Sequence, residues 1–176
     1  PVPSAVGDVV SGNNSPDASG ANSGTKFDVL KRGGYLAENG YLVFPGQLLI
    51  NGTTVTLSPN NFMGLWKDSG TGLKLLARSG SAAPDAEGAL FDVLPQTPAI
   101  NDSGEVTFLA SLVIGSGSPT VTSVDNDTGL WSELGGTGLG ILLREGDVIP
   151  LLPAPPSPLQ VGAFASGAFA TAHTSA

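Results

Sequence analysis

Residues 26–44 read KFDVLKRGGYLAENGYLVF, and residues 90–108 read LFDVLPQTPAINDSGEVTF. Phe27-Asp28-Val29-Leu30 returns unchanged as Phe91-Asp92-Val93-Leu94, 64 positions later. Gly40 and Phe44 return as Gly104 and Phe108 at the same offset. Further on, MGLWKDSGTGLKLLARSGS (63–81) is matched by TGLWSELGGTGLGILLREGD (128–147). Gly64-Leu65-Trp66 becomes Gly129-Leu130-Trp131 at offset 65, and Arg78 becomes Arg144 at offset 66. The one-residue drifts fall in Gly-rich turns, where insertions are tolerated. Fixed-period self-similarity marks repeat architectures, in which each unit buries its core against a neighbour.

Within each unit the segments between turns are short, apolar or β-branched, and often alternating, which predicts strands. Tyr41 to Ile50 and Thr53 to Leu57 flank Asn51-Gly52, a strong two-residue hairpin signal. Val106 to Ile114 and Thr120 to Val124 flank a looser turn at the equivalent place. Met63 to Lys67 with Leu73 to Arg78, and Gly129 to Glu133 with Leu139 to Arg144, predict a second hairpin in each unit. Phe27 to Leu30 and Phe91 to Leu94 add a short strand to each. The expected fold is all-β: two tandem antiparallel β units of about 64 residues, blade-like or sandwich, with an extended C-terminal strand. The expected divisions are 1–25 (N-terminal segment with a polar loop), 26–89 (first unit), 90–149 (second unit) and 150–176 (Pro-rich linker and C-terminal strand). Phe44, Trp66, Phe108 and Trp131 are the expected core of the repeat, since mid-strand Trp beside Leu usually serves packing.

Composition narrows the function classes. The chain has 176 residues, long enough to bury a core, and 40% of them are hydrophobic. Charged residues make up 12% and the net charge is −8. The basic residues do not cluster beyond Lys31-Arg32, so the concentrated footprint of a nucleic-acid binder is missing. No apolar run reaches the ~20 residues of a membrane span. Cysteine is absent, which removes disulfides and thiolate ligands. The only histidine, His173, has no partners for a triad or a zinc site. The acidic pairs Asp85/Glu87, Asp125/Asp127 and Glu145/Asp147 read as solvated turns. Arg78 and Arg144 read as structural salt-bridge donors, toward Asp92 or Glu145. Neither an enzyme nor a cofactor is expected. Sequons stand at Asn13, Asn51, Asn101 and Asn126, where N-glycans would attach in a glycosylating compartment.

No acidic or basic side chain follows Asp147 apart from His173. An uncharged apolar segment left in water is a liability, so the tail is expected to pair with a sheet edge. Val161, Phe164 and Phe169 are its candidate assembly residues. The Pro-rich stretch before them gives stiff reach toward another copy. Pro1-Val2-Pro3, without Met, is read as the start of a processed, exported chain.

The run Ile100-Asn101-Asp102-Ser103-Gly104-Glu105-Val106-Thr107-Phe108-Leu109-Ala110, then Gly129-Leu130-Trp131, then Leu142-Leu143-Arg144-Glu145-Gly146-Asp147-Val148-Ile149-Pro150, resembles a tandem repeat of exported bacterial proteins. Those repeats carry N-x-x-G-x-V-x-F-x-A and A-R-x-G-D-x-x-P motifs. The resemblance spans residues ~26–150 and implies propeller-like β repeats, a cell-surface setting and no catalytic residue. This chain departs from it at Ser79-Gly80-Ser81, where the first unit should read Gly-Asp, and by holding two full units. Propellers take roughly four to eight blades. The leading expectation is therefore a secreted structural protein, extracellular or at the cell surface. Its copies would assemble into a filament by strand exchange through the tail. The alternative is a cell-surface binding module with Trp66 and Trp131 on a carbohydrate- or protein-binding face.

Overall fold

The structure, a computed structural model, describes residues 27–30, 34–48, 62–70, 72–94, 97–136, 138–149 and 159–160. The described elements are all β. The first unit holds β1 (Phe27–Leu30), β2 (Tyr35–Leu36), β3 (Leu42–Leu48), β4 (Met63–Asp68) and β5 (Leu73–Arg78). The second holds β6 (Ala99–Ile100), β7 (Val106–Ser111), β8 (Thr128–Ser132) and β9 (Gly140–Arg144). β10 (Val148–Ile149) and β11 (Leu159–Gln160) follow. One sheet runs β1-β3-β4-β5 with β2 also on β3, a second runs β6-β7-β8-β9, and β10 pairs β11. All pairings are antiparallel.

The duplication is structural down to single residues. Phe44 pairs Trp66, which pairs Leu75; Phe108 pairs Trp131, which pairs Ile141. Each last strand then carries one extra residue. Leu65 faces Ala77, leaving Leu76 unpaired, and Leu130 faces Leu143, leaving Leu142 unpaired. A bulge at the same place in both units sharpens the local twist equally. The turns before β3 and β7 also match. Ala37 N–H donates to Tyr41 O and Gly40 N–H to Ala37 O; Asn101 N–H donates to Glu105 O and Gly104 N–H to Asn101 O. Gly40 and Gly104 sit at φ +88° and +79°, the left-handed region that explains their return in the repeat.

The Gly-Leu-Trp motif has a packing reason. Residues two apart lie on the same face of a strand. The Trp131 indole folds back over Gly129, where a Cβ would lie 2.7 Å from Cη2. Trp66 covers Gly64 in the same way. Only hydrogen at that position leaves room for the ring.

The two sheets share a core. Val43, Leu65 and Ala77 of the first sheet join Phe91, Val106, Phe108 and Trp131 in one buried cluster. On the opposite face of the first sheet, Phe44, Leu48, Trp66 and Leu73 form a separate buried cluster. The units thus stack head to tail, with the Phe/Trp face of the second against the Val/Leu/Ala face of the first. Polar contacts pin the joint. Lys67 Nζ lies 2.7 Å from both Glu133 carboxylate oxygens and donates to Gly104 O at 3.1 Å. Glu133 also accepts from Val106 N–H at 3.1 Å. Asn39 Nδ2 donates to Asp102 O at 2.6 Å, tying the two equivalent turns together.

Three sequence expectations change. Thr120 to Val124 is not a strand. Ser116 Oγ donates to Val113 O and accepts from Leu90 N–H, while Gly115 N–H reaches Val121 O, so residues 113–121 close into a turn docked on the preceding loop. Phe91 to Leu94 keeps the register of its counterpart, Phe91 on Leu112 as Phe27 on Leu48, but as an isolated bridge. There Ser111 Oγ accepts from Val93 N–H, so a side chain takes a ladder position. Arg144 does not turn to Glu145: its Nε donates to Asn126 O at 2.9 Å. The Asn51-Gly52 hairpin lies outside the described residues.

Two stability predictions follow from these contacts. Gly129→Ala should destabilise the fold by about 1–3 kcal/mol, because the indole must leave its seat. Urea unfolding reads the change, and an unaltered midpoint would show that the ring does not need the space. Lys67→Ala should cost about 2 kcal/mol by stranding the Glu133 carboxylate. The Lys67→Ala/Glu133→Ala pair should lose less than the sum of the single changes, as a double-mutant cycle would report.

Candidate functional site

The repeat places its aromatic residues inside. Trp66, Trp131 and Phe108 have no exposed surface, and Phe44 is 7% exposed. Phe44 stacks on Trp66 at 6.1 Å, and Phe108 on Trp131 at 6.3 Å. Phe91 meets Trp131 edge-on at 5.0 Å. Trp131 Nε1 donates to Pro84 O at 3.0 Å, so the indole is satisfied by the loop that links the units. Neither indole presents a face to a carbohydrate.

That loop was not legible as a core element. Ala83, Ala86 and Ala89 recur every third residue and are all buried in the shared core. Asp85 and Glu87 alternate with them, exposed, at φ +57° and +53°. They sit on the outer side of a plug whose alanines close over Trp131. The spacing of small residues was the available signal.

Among the sequons, Asn101 is an exposed turn former. Its Oδ1 accepts from Ser103 and Glu105 N–H, and its Nδ2 donates to Glu105 Oε2. Asn126 is half-buried with both ends engaged, Oδ1 by Thr122 N–H at 2.7 Å and Nδ2 by Thr120 O at 3.3 Å. Asn13 and Asn51 lie outside the described residues, as do Val161, Phe164 and Phe169. The root of the tail is described: Leu159 pairs Ile149 and Gln160 pairs Val148, in the same chain.

The outer face of the second sheet carries an apolar row. Leu109 pairs Leu130 and Leu130 pairs Leu143, so the three stand in a row across β7, β8 and β9, opposite the Trp131 face. Leu109 and Leu130 are half-buried and Leu143 is 39% exposed. Their counterparts Leu65 and Ala77 are 0% and 4% exposed within the joint.

Two carboxyl groups at the end of β9 are held by hydrogen bonds. Asp147 Oδ2 accepts from Arg144 N–H at 2.7 Å, and Glu145 Oε2 accepts from Thr128 Oγ1 at 3.2 Å. Burial raises the Glu145 pKa above the usual carboxylate value, and a hydrogen bond and charge repulsion from Asp127 push it the same way. No cluster of His, Cys, Asp or Glu suited to a metal occurs among the described residues, and no helix there is long and apolar enough to cross a membrane. Because the folded chain holds the Glu145 proton more tightly than the unfolded chain, stability falls as pH rises from about 4.5 through the raised value. Glu145→Gln should therefore stabilise the protein at pH 7, with the gain fading as pH drops below 4.5. Thermal melts across pH test the sign.

No curated protein and no solved structure matches the chain. A family model does match, over residues 7–169, and so spans both β units and the root of the tail. The chain belongs to that family, described as a family of unknown function, DUF7453.

Proposed function

We propose that this chain is a secreted structural protein whose copies assemble into an extracellular filament by exchanging the C-terminal strand. The observation that carries this reading is the β10–β11 ladder. Among the described residues it joins neither larger sheet and holds two residue pairs. A ladder so short is marginal in water unless something extends or covers it. The connection between its strands contains Pro150, Pro153, Pro155, Pro156 and Pro158. Such a segment is stiff and favours extended conformations. Leu159–Gln160 can make the same main-chain bonds to Val148–Ile149 of another copy, which is domain swapping at little enthalpic change. A head-to-tail exchange propagates into an open filament where its rotation does not close. Both indoles are buried, which favours this reading over a surface module that would present them to a carbohydrate or protein.

Deletion of residues 159–176 should abolish polymer formation, read by negative-stain microscopy and sedimentation. A truncated chain that forms the same polymer would remove the tail from the mechanism.

A further inference from the structure

The two units share a backbone but differ where it matters for their neighbours. The first unit's joint face carries Val43, Lys67 and Ala77. At the equivalent positions the second unit carries Thr107, Ser132 and Leu143. Each change works against receiving a further Phe/Trp face. Leu143 adds three carbons where Ala77 leaves space in the shared core. Ser132 stands where the first unit has the Lys67 ammonium that crosses the joint, and its hydroxyl is held by Thr107 Oγ1 at 2.8 Å. What remains is a leucine row, Leu109–Leu130–Leu143, flanked by hydroxyls that satisfy each other.

The residues that β7, β8 and β9 place on this face carry no charge, in a chain of net charge −8. A cationic partner would be met by carboxylates. Two copies of an acidic chain, by contrast, repel each other least where neither bears charge. The other Phe/Trp face in the chain, Phe44 and Trp66, is buried and not offered to a neighbour. A head-to-tail stack of copies through these faces would need that face uncovered. A contact between two identical leucine rows needs no change in either copy.

Resting on the self-assembly reading, we propose that the Leu109–Leu130–Leu143 face is a second assembly surface, which packs on the same face of a second copy about a two-fold axis. An isologous contact of this kind gives a dimer by itself. Combined with strand exchange at β10, it gives each chain two separate links. Strands lie about 4.8 Å apart, so the row is roughly 10 Å long and the contact is modest in size. The dimer should therefore dissociate on dilution.

The experiment uses the full chain, its tail-deleted form and the Leu130→Glu/Leu143→Glu variant, compared by sedimentation velocity over a concentration series. The tail-deleted chain should still show a monomer–dimer equilibrium. The glutamate variant should lose the dimer, while Val124→Glu, at a position 73% exposed and outside β7, β8 and β9, should keep it. Because the chain has no cysteine, single Leu130→Cys and Val124→Cys variants add a readout independent of folding. A lone cysteine near a two-fold axis cross-links to its own copy on oxidation, so Leu130→Cys should give a covalent dimer and Val124→Cys should not. Association that survives the glutamate pair overturns the face and leaves strand exchange standing. Dissociation without a Leu130→Cys cross-link overturns the two-fold arrangement. A wild-type chain that stays monomeric at every concentration overturns both this face and the assembly reading.

Discussion

A β-sheet whose residues are apolar on both faces cannot satisfy itself, and the first unit is such a sheet. Adjacent residues Val43 and Phe44 point to opposite sides of β3, yet both are buried. Leu65 and Trp66 repeat the pattern on β4. Every such strand demands a covering layer on each side. The second unit supplies one, by laying Phe108 and Trp131 into the core shared with Val43 and Leu65. Its own central strand reads differently. β7 alternates buried with half-buried residues, so it is closed on one side and partly open on the other. The stack therefore has a direction, set by which face each unit closes.

Burial is not directional, and the Val/Leu/Ala face could slide on the Phe/Trp face with little change in area. The polar contacts remove that freedom. Lys67 has three acceptors in the second unit, and two of them belong to a carboxylate that also caps Val106 N–H. Shifting the joint by one residue would break all of these at once, in a setting where the Lys67 and Glu133 side chains are 13% and 15% exposed. The Asn39–Asp102 bond ties the equivalent turns and resists rotation in the same way. Apolar area holds the units together, and these few bonds decide how they sit.

Much of this was legible because the duplication constrains backbone as well as side chains. Gly129-Leu130-Trp131 signals a strand with an indole folded over a glycine, and the left-handed Gly104 marks the turn before β7. Hairpins made by neighbouring segments, β4–β5 and β8–β9, were read correctly since their pairing is local. The failures share a cause. Thr120 to Val124 has strand-like residues, but Ser116 and the preceding loop captured its neighbourhood through contacts some 26 positions away. Ala83, Ala86 and Ala89 look like loop filler until Trp131, 42 or more residues on, needs a lid. Lys67 and Glu133 are 66 residues apart, and neither shows its partner in the local pattern. Local rules report what a segment prefers, and the joint between units is decided by what arrives from elsewhere.

The divergence between the units carries as much information as their likeness. Positions that set the strand register are kept: the bulge, the Gly beneath Trp, and the Phe–Trp pair. Positions on the joint face are not. Val43, Lys67 and Ala77 fit a Phe/Trp partner, while Thr107, Ser132 and Leu143 fit hydroxyl pairing and a leucine row. A chain free to drift would lose register and surface together, since a mispaired strand turns every side chain to the wrong face. Keeping one while changing the other requires that the two be under separate physical demands. The fold demands the register. The new surface answers to what lies outside the second unit, and an uncharged, partly covered leucine row is a surface suited to contact with protein.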